Sequence, residues 1–163
     1  MPFRLSVGNM FAAAMLAAAV FAAGCANQSK TVEAGLTGAA VPGSPQEFQV
    51  AVGDRVFFET DSSAITAQGQ QTLDRQVQWL NQYPNYAFML EGHADERGTR
   101  EYNIALGARR AAAVRDYMIA RGIAANRMRT ISYGKERPVA VCDDISCWSQ
   151  NRRSVTVLEG ASG

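Results

Sequence analysis

The sequence lacks a strong charge of either sign and has very little histidine. Its 163 residues include 16 Lys and Arg, 15 Asp and Glu, and one His. A protein that binds a polyanion by releasing counterions needs a large excess of basic side chains, and this chain has an excess of only one. Nucleic acid is therefore not expected as a partner.

Between Arg4 and Lys30 the chain lacks ionisable side chains other than Cys25, and alanine dominates the stretch. A short basic start, an apolar segment and small residues before Cys25 are typical of a secretory signal. We therefore predict a signal peptide over residues 1–24. The alternative is an uncleaved membrane-spanning helix, although the Ala, Gly, Ser and Asn residues lower the hydrophobicity of the stretch.

The predicted signal ends in Ala-Ala-Gly just before Cys25, and the run Ala-Ala-Gly-Cys is similar to the lipobox of bacterial lipoproteins except that Ala22 replaces the usual Leu. That similarity implies that Cys25 is lipidated, and several acyl chains, at about 0.8 kcal/mol per buried methylene, anchor a domain stably. In such lipoproteins a residue other than Asp after the Cys, here Ala26, implies sorting to the outer membrane. The alternative is that Cys25 stays a plain thiol in a membrane anchor.

Only two further cysteines are present, Cys142 and Cys147. An even pair in an exported chain favours a disulfide, and the short loop that it closes limits its stabilisation to about 2 kcal/mol. Free thiols are the alternative. Two thiols and one distant His fall short of a four-ligand zinc set, so we predict no metal site and no cofactor.

The composition divides the mature chain into a tether and one domain. Residues 25–46 are rich in Gly, Ala, Ser, Thr and Pro and lack apolar periodicity, which is typical of a flexible linker. A linker of about 20 residues has a root-mean-square reach on the order of 25 Å. We predict that the folded domain spans residues 47–163.

Strand and helix patterns alternate along the predicted domain. This order predicts an α/β (α+β) sandwich, in which helices pack on one face of a small mixed four-stranded sheet. The predicted elements are a strand or strand pair over 50–59, a helix from Thr66 to Gln82, a strand over 86–91, a helix over 101–121, a strand within 126–133 and a strand over 154–158.

Opposite charges are expected to meet near the end of the second strand. Asp95 follows that strand in a loop, and Arg110 lies two turns after Asn103 on a helix stripe beside the core-facing stripe. The stem of Arg110 can then be covered while its guanidinium is presented. A carboxylate and a guanidinium that flank one small site suit a zwitterion, but spacing alone leaves open a structural Asp95–Arg110 ion pair.

The run EGHADERGTREYNIALGARRAAAV, together with FETDSSAI, SYGKERP and NRRSV in order, resembles the OmpA C-terminal-like domain family over residues 50–158. The resemblance implies an OmpA-like βαβαβ fold. It also implies binding to the meso-diaminopimelate of peptidoglycan stem peptides, whose side-chain end carries an amine and a carboxylate.

Carried over by position, Asp95 matches the family's ligand-binding Asp. The family motif counts seven residues from the Asn to the carboxylate-binding Arg, which selects Arg110 rather than Arg109. The other residues that the resemblance places around the ligand are Asn103, Leu106 and Asp61.

The likeness is strongest to wall-binding lipoproteins of the Tol-Pal system. It implies a lipid-anchored protein on the periplasmic face of the cell outer membrane, which binds peptidoglycan, maintains that membrane and helps it constrict during cell division. In the family TolB binds at the same end of the domain and competes with the wall, and other Tol proteins are further partners.

No enzyme activity and no catalytic residue are predicted. A Ser-His-Asp hydrolase around His93 lacks the Gly-x-Ser-x-Gly nucleophile elbow, and the spacing of the nearby acidic residues does not favour a glycosidase pair. The alternatives to a wall-binding lipoprotein are a periplasmic peptidoglycan hydrolase and a module that binds only proteins.

Overall fold

The computed structural model describes residues 40–160, so the predicted signal, Cys25 and most of the predicted tether lie outside the described residues. In the described part no helix is both long enough and apolar enough to cross a bilayer. The elements are helix α1 (Pro45–Glu47), a π-helical turn (Phe48–Gly53), strand β1 (Arg55–Phe57), α2 (Ala67–Gln82), β2 (Ala87–His93), α3 (Arg100–Ala120), a 3-10 turn (Ala125–Arg127), β3 (Met128–Gly134), α4 (Ile145–Asn151) and β4 (Arg153–Glu159).

The four strands form one mixed sheet in the order β1-β4-β2-β3. Strand β4 pairs antiparallel with β1 and with β2, whereas β2 and β3 run parallel. A parallel pair needs a crossover connection, and α3 supplies it. The predicted fold class, a small mixed four-stranded sheet with packed helices, is confirmed.

Helices α2 and α3 cover one face of the sheet and form the core with it. Buried side chains from β2 form one core cluster with those of the two helices, and each contributes about 1.5–3 kcal/mol by its burial. The opposite face leaves Phe57, Ile131 and Val157 partly open to solvent. The central core residues are Phe88, Leu90, Leu73, Val77, Leu80, Val114 and Met118.

The helix ends follow local sequence signals. The Thr66 hydroxyl caps α2 by accepting a hydrogen bond from the Gly69 N–H at 3.0 Å, at the residue where the predicted helix begins. The Thr99 hydroxyl caps α3 in the same way, and Gly122, with φ of +91°, follows its end in a conformation that few other residues adopt.

The predicted strand over 50–59 is wrong in its first half. Phe48–Gly53 form a π-helical turn, and the strand is confined to Arg55–Phe57. The reason is tertiary: Phe48 is fully buried, and its ring centroid lies 4.9 Å from that of Trp79. Packing of this kind overrides the β propensity of Val50 and Val52.

Residues 43–46, which the sequence analysis assigns to the tether, contact the folded domain. The Tyr86 hydroxyl donates to the Gly43 carbonyl at 2.8 Å, and the Glu47 carboxylate accepts from the Gly43 N–H at 2.7 Å. The ordered contacts therefore begin a few residues before position 47.

The loop before β4 contains a helix that the sequence analysis missed. Asp144 caps α4, and its carboxylate accepts a hydrogen bond from the Ser146 N–H at 2.6 Å. The predicted disulfide between Cys142 and Cys147 is present, with their Cα atoms 5.7 Å apart. It ties the residues before α4 to the first turn of that helix.

Two glycines let α3 approach the sheet closely. A Cβ at Gly92 would overlap the Gly107 carbonyl, and one at Gly107 would lie 2.8 Å from the Gly92 carbonyl oxygen. The Ser132 hydroxyl also donates to the Ile104 carbonyl at 2.7 Å. These contacts fix α3 against the end of β2, where the candidate site lies.

Candidate functional site

A cavity of about 300 Å³ opens where β2 ends, between the loop after β1 and the first turns of α3. It brings together four of the five predicted ligand-binding residues, which come from three separate parts of the chain. Its lining consists of Thr60, Asp61, Asp95, Arg97, Gly98, Tyr102, Asn103 and Leu106.

Asp95 is the buried anion of this pocket, with 7% of its surface exposed. One carboxylate oxygen accepts from the Arg97 N–H at 3.2 Å and from Arg97 Nε at 3.1 Å. The other accepts from Arg97 Nη2 at 2.7 Å and from Arg152 Nη1 at 3.4 Å. Burial raises the pKa of Asp95, but the bonds and charge of Arg97 and the bond from Arg152 hold that pKa below its ordinary value. Asp95 is therefore ionised at neutral pH.

Arg110 lies behind the pocket wall and is 0% exposed, so the expectation of a presented guanidinium is wrong. Its guanidinium donates to the carbonyls of Ser62 at 2.8 Å, His93 at 2.8 Å and Glu59 at 3.1 Å. The loop after β1 folds over this helix stripe and covers the side chain. Arg110 thereby joins that loop to the end of β2.

Burial and the charge of Arg152 lower the pKa of Arg110 to about 10, against the opposing charges of Asp95 and Asp61. Arg110 therefore remains a cation at neutral pH. A direct Asp95–Arg110 ion pair, left open by the sequence, is not among the salt bridges of residues 40–160, where Asp95 pairs with Arg97 and Arg152.

The other predicted residues shape the pocket. Asn103 is almost fully buried, and its amide donates to the Arg97 carbonyl at 2.8 Å, so it holds the loop after β2 against α3. Leu106 supplies a buried apolar wall. Asp61 sits on the rim in a left-handed conformation with φ of +55°, and its carboxylate accepts a hydrogen bond from the Tyr102 hydroxyl.

Arg97 is the pocket residue that sequence reasoning missed most plainly. Its side chain is 41% exposed and stacks on Trp148, with Cζ 4.2 Å from the ring centroid. Trp148 in turn donates from Nε1 to Glu96 at 2.9 Å. Arg97 follows Asp95 by two residues, a spacing that could have indicated it, but nothing local indicates the contact with Trp148.

His93 is buried behind the site and is 1% exposed. Glu91 Oε2 lies 3.4 Å from its Nε2, yet neither ring nitrogen has a hydrogen-bond partner among residues 40–160. The Ser–His pair of a hydrolase is therefore not formed in this part of the chain. Burial, followed by the charges of Arg153, Arg137 and Arg55, lowers the pKa of His93 to about 4.

We expect the stability of the protein to fall between pH 7 and pH 5 because of His93. The unfolded imidazole, with an ordinary pKa near 6.5, takes up a proton over this range, whereas the folded imidazole, with a pKa of about 4, does not. Acid thus favours unfolding, by roughly 2 kcal/mol between the two pH values.

Urea unfolding at pH 7 and at pH 5 measures this difference in the free energy of unfolding. Since the chain has one His, His93→Gln should remove most of it, and equal wild-type stability at both pH values would refute the assignment.

A sequence profile of the OmpA family matches residues 57–152, a range that contains every residue lining the pocket. The chain belongs to the OmpA family. The resemblance inferred from its motifs is thereby confirmed. Among the described residues of this OmpA-family chain, no group of three or more His, Cys, Asp or Glu side chains could hold a metal ion.

Three of the similar proteins are peptidoglycan-associated lipoproteins. A peptidoglycan-associated lipoprotein of Rhizobium meliloti (strain 1021) is 69% identical over 144 residues, covering 85% of this chain and 82% of that protein. One from Agrobacterium fabrum is 68% identical over 145 residues, with the same coverage of each chain. The crystal structure of the peptidoglycan-associated lipoprotein from Burkholderia pseudomallei is 37% identical, with a TM-score of 0.67, over 71% of this chain and 100% of that chain.

Proposed function

We propose that this protein binds peptidoglycan without covalent attachment, by holding the amine and carboxylate of meso-diaminopimelate in the Asp95 pocket. The observation that carries the proposal is an ionised, buried carboxylate in a small cavity beside two guanidinium groups. The similar proteins are named for an association with peptidoglycan, and the family to which the chain belongs covers the whole pocket.

Each charged group of the ligand has a matching group in the pocket. The ammonium of diaminopimelate binds Asp95, and its carboxylate binds on the positive side, where Arg110 lies behind the wall. Arg110 is fully buried and bonded to three backbone carbonyls, so it supplies positive charge behind the wall rather than a direct hydrogen bond to the ligand. Leu106 and Asn103 line the space for the ligand's side chain, and Asp61 closes the rim.

The protein reaches the wall from a lipid anchor. In this proposal residues 1–24 are removed as a signal, Cys25 is acylated and inserted in the outer membrane, and residues 25–46 span most of the distance to the domain at 47–163. The domain then faces the periplasm. A tether with a reach on the order of 25 Å lets it search the nearby wall while it stays anchored.

We assign this activity to the Tol-Pal system, with TolB and other Tol proteins as partners. The support is the likeness to the peptidoglycan-associated lipoproteins of Rhizobium and Agrobacterium. A protein that links the outer membrane to the wall would keep that membrane intact and draw it inward during division. Catalysis has no part in this proposal.

Sedimentation with purified cell-wall sacculi tests the proposed function. The full chain should sediment with sacculi that contain diaminopimelate and stay largely in solution with sacculi that contain lysine, because lysine lacks the second carboxylate. No soluble muropeptides should appear. Equal binding to both sacculi would contradict the assignment of the ligand, and released fragments would show a hydrolase instead.

A further inference from the structure

The Arg97 guanidinium lies at the place in the pocket where a ligand ammonium would bind. An ionised carboxylate offers about four lone-pair positions. In Asp95 three of them accept from Arg97 and the fourth accepts from Arg152. An incoming ammonium must therefore displace a guanidinium before it can bond to Asp95.

Of the two arginines bonded to Asp95, Arg97 is the one whose side chain can move away. Its side chain is 41% exposed, whereas the Arg152 side chain is 6% exposed and also donates from Nε to the Phe58 carbonyl at 3.0 Å. The backbone around Arg97 is held independently of the side chain, because Asn103 donates to its carbonyl. Lys135 likewise donates to the Gly98 carbonyl at 2.7 Å. Movement of the Arg97 side chain thus leaves the loop in place.

The Arg97 guanidinium has a second contact beside Asp95, the ring of Trp148. The Trp148 ring is already under the Arg97 guanidinium, and Glu96, whose charge also acts on Arg97, fixes that ring through a hydrogen bond. The Cys142–Cys147 disulfide constrains the start of α4, which carries Trp148. The displaced side chain therefore keeps an attractive partner at the edge of the pocket.

We propose that Arg97 is a specificity-determining residue. Its guanidinium pairs with the Asp95 carboxylate in the free protein and pairs with the ligand carboxylate once the ligand is bound. This inference rests on the proposed function and extends it to a residue outside the five predicted ones. With diaminopimelate the exchange leaves every charge paired: the ligand ammonium takes Asp95, and the released Arg97 takes the ligand carboxylate. With an amine alone, as in lysine, Arg97 is released without a carboxylate to receive it.

Calorimetric titration of the full chain with two tripeptides tests the exchange. The peptides are L-Ala-γ-D-Glu-meso-diaminopimelate and its lysine counterpart. In Arg97→Ala the affinity for the diaminopimelate peptide should fall, and that for the lysine peptide should rise, because Asp95 is then free. Their affinity ratio should drop by about tenfold or more, which is the usual effect of one charge-assisted hydrogen bond.

Arg100→Ala is the matched control. Arg100 is a nearby exposed arginine whose ion pair is with Glu136 at 3.2 Å, so its loss should leave the ratio unchanged. Trp148→Ala should lower the ratio less than Arg97→Ala, and Trp148→Phe, which keeps an aromatic ring under the guanidinium, should restore it.

The outcomes separate the two claims. If the wild-type protein fails to bind the diaminopimelate peptide, the proposed function is wrong, and the exchange is wrong with it. If the wild-type protein binds and Arg97→Ala weakens both peptides by the same factor, or changes neither, the proposed function stands and the role of Arg97 is refuted.

Discussion

Replacing Asp95 with alanine is expected to weaken peptidoglycan binding by about tenfold to a hundredfold, the effect of losing a charge-assisted hydrogen bond to the ligand ammonium. Asp95 is the buried carboxylate of the pocket, and its lowered pKa keeps it ionised. The other acidic residue of the lining, Asp61, is on the exposed rim and cannot substitute for it. Sedimentation with sacculi at a fixed protein concentration measures the loss.

Two further variants make this result interpretable. Asp95→Asn keeps the shape and an acceptor oxygen but removes the charge, so it should lose nearly as much binding as Asp95→Ala. Asp116→Ala removes an exposed carboxylate that pairs with its neighbour Arg115 on α3, and it should bind like the wild type. Wild-type binding by Asp95→Asn would show that the charge of Asp95 does not hold the ligand.

Replacing Arg110 with alanine is expected to destabilise the fold by at least about 3 kcal/mol. Its guanidinium is fully buried and bonds to the carbonyls of Glu59, Ser62 and His93. Without it, the loop after β1 is no longer tied to the end of β2, and these carbonyls lose a strong donor. Thermal or urea unfolding should show a marked decrease.

The neighbouring arginine provides the control for this effect. Arg109 is exposed on the same helix, and Arg109→Ala should change the free energy of unfolding by less than about 0.5 kcal/mol. A stability of Arg110→Ala equal to that of the wild type would mean that the guanidinium is dispensable to the fold. Because Arg110 supports the pocket wall, lost binding in Arg110→Ala must be compared with its lost stability before it is attributed to a ligand contact.

Local signals in the sequence were enough to place most of the regular structure. The predicted helix from Thr66 begins at the residue that caps α2, and Leu73, Val77 and Leu80 form the buried stripe of α2 that their spacing favours. These features depend on residues three or four positions apart, so a sequence displays them directly.

The segments that the sequence analysis predicted wrongly or missed are set by residues far away along the chain. Phe48 packs on Trp79, which lies 31 residues later in α2, and that contact turns an apparent strand into helical backbone. Helix α4 is short and mostly polar, so periodicity could not reveal it, although Asp144 caps it in the usual manner. Tertiary contacts decided both segments.

The site residues also divide into those that the sequence could predict and those that depend on distant contacts. Motif resemblance and helix spacing selected Asp95, Asn103 and Leu106, which the structure brings to one pocket. Spacing also put Arg110 on the adjacent stripe but could not show that the loop after β1 covers it. The role of Arg97 depends on its contact with Trp148, 51 residues further along the chain, and no local pattern encodes that contact.

The most direct test is a structure of the full chain bound to a stem peptide that ends in meso-diaminopimelate. We predict that the side-chain ammonium of the ligand lies within about 3 Å of the Asp95 carboxylate, at ordinary hydrogen-bond distance. A ligand seated outside the pocket, or one whose ammonium points away from Asp95, would contradict the proposed function.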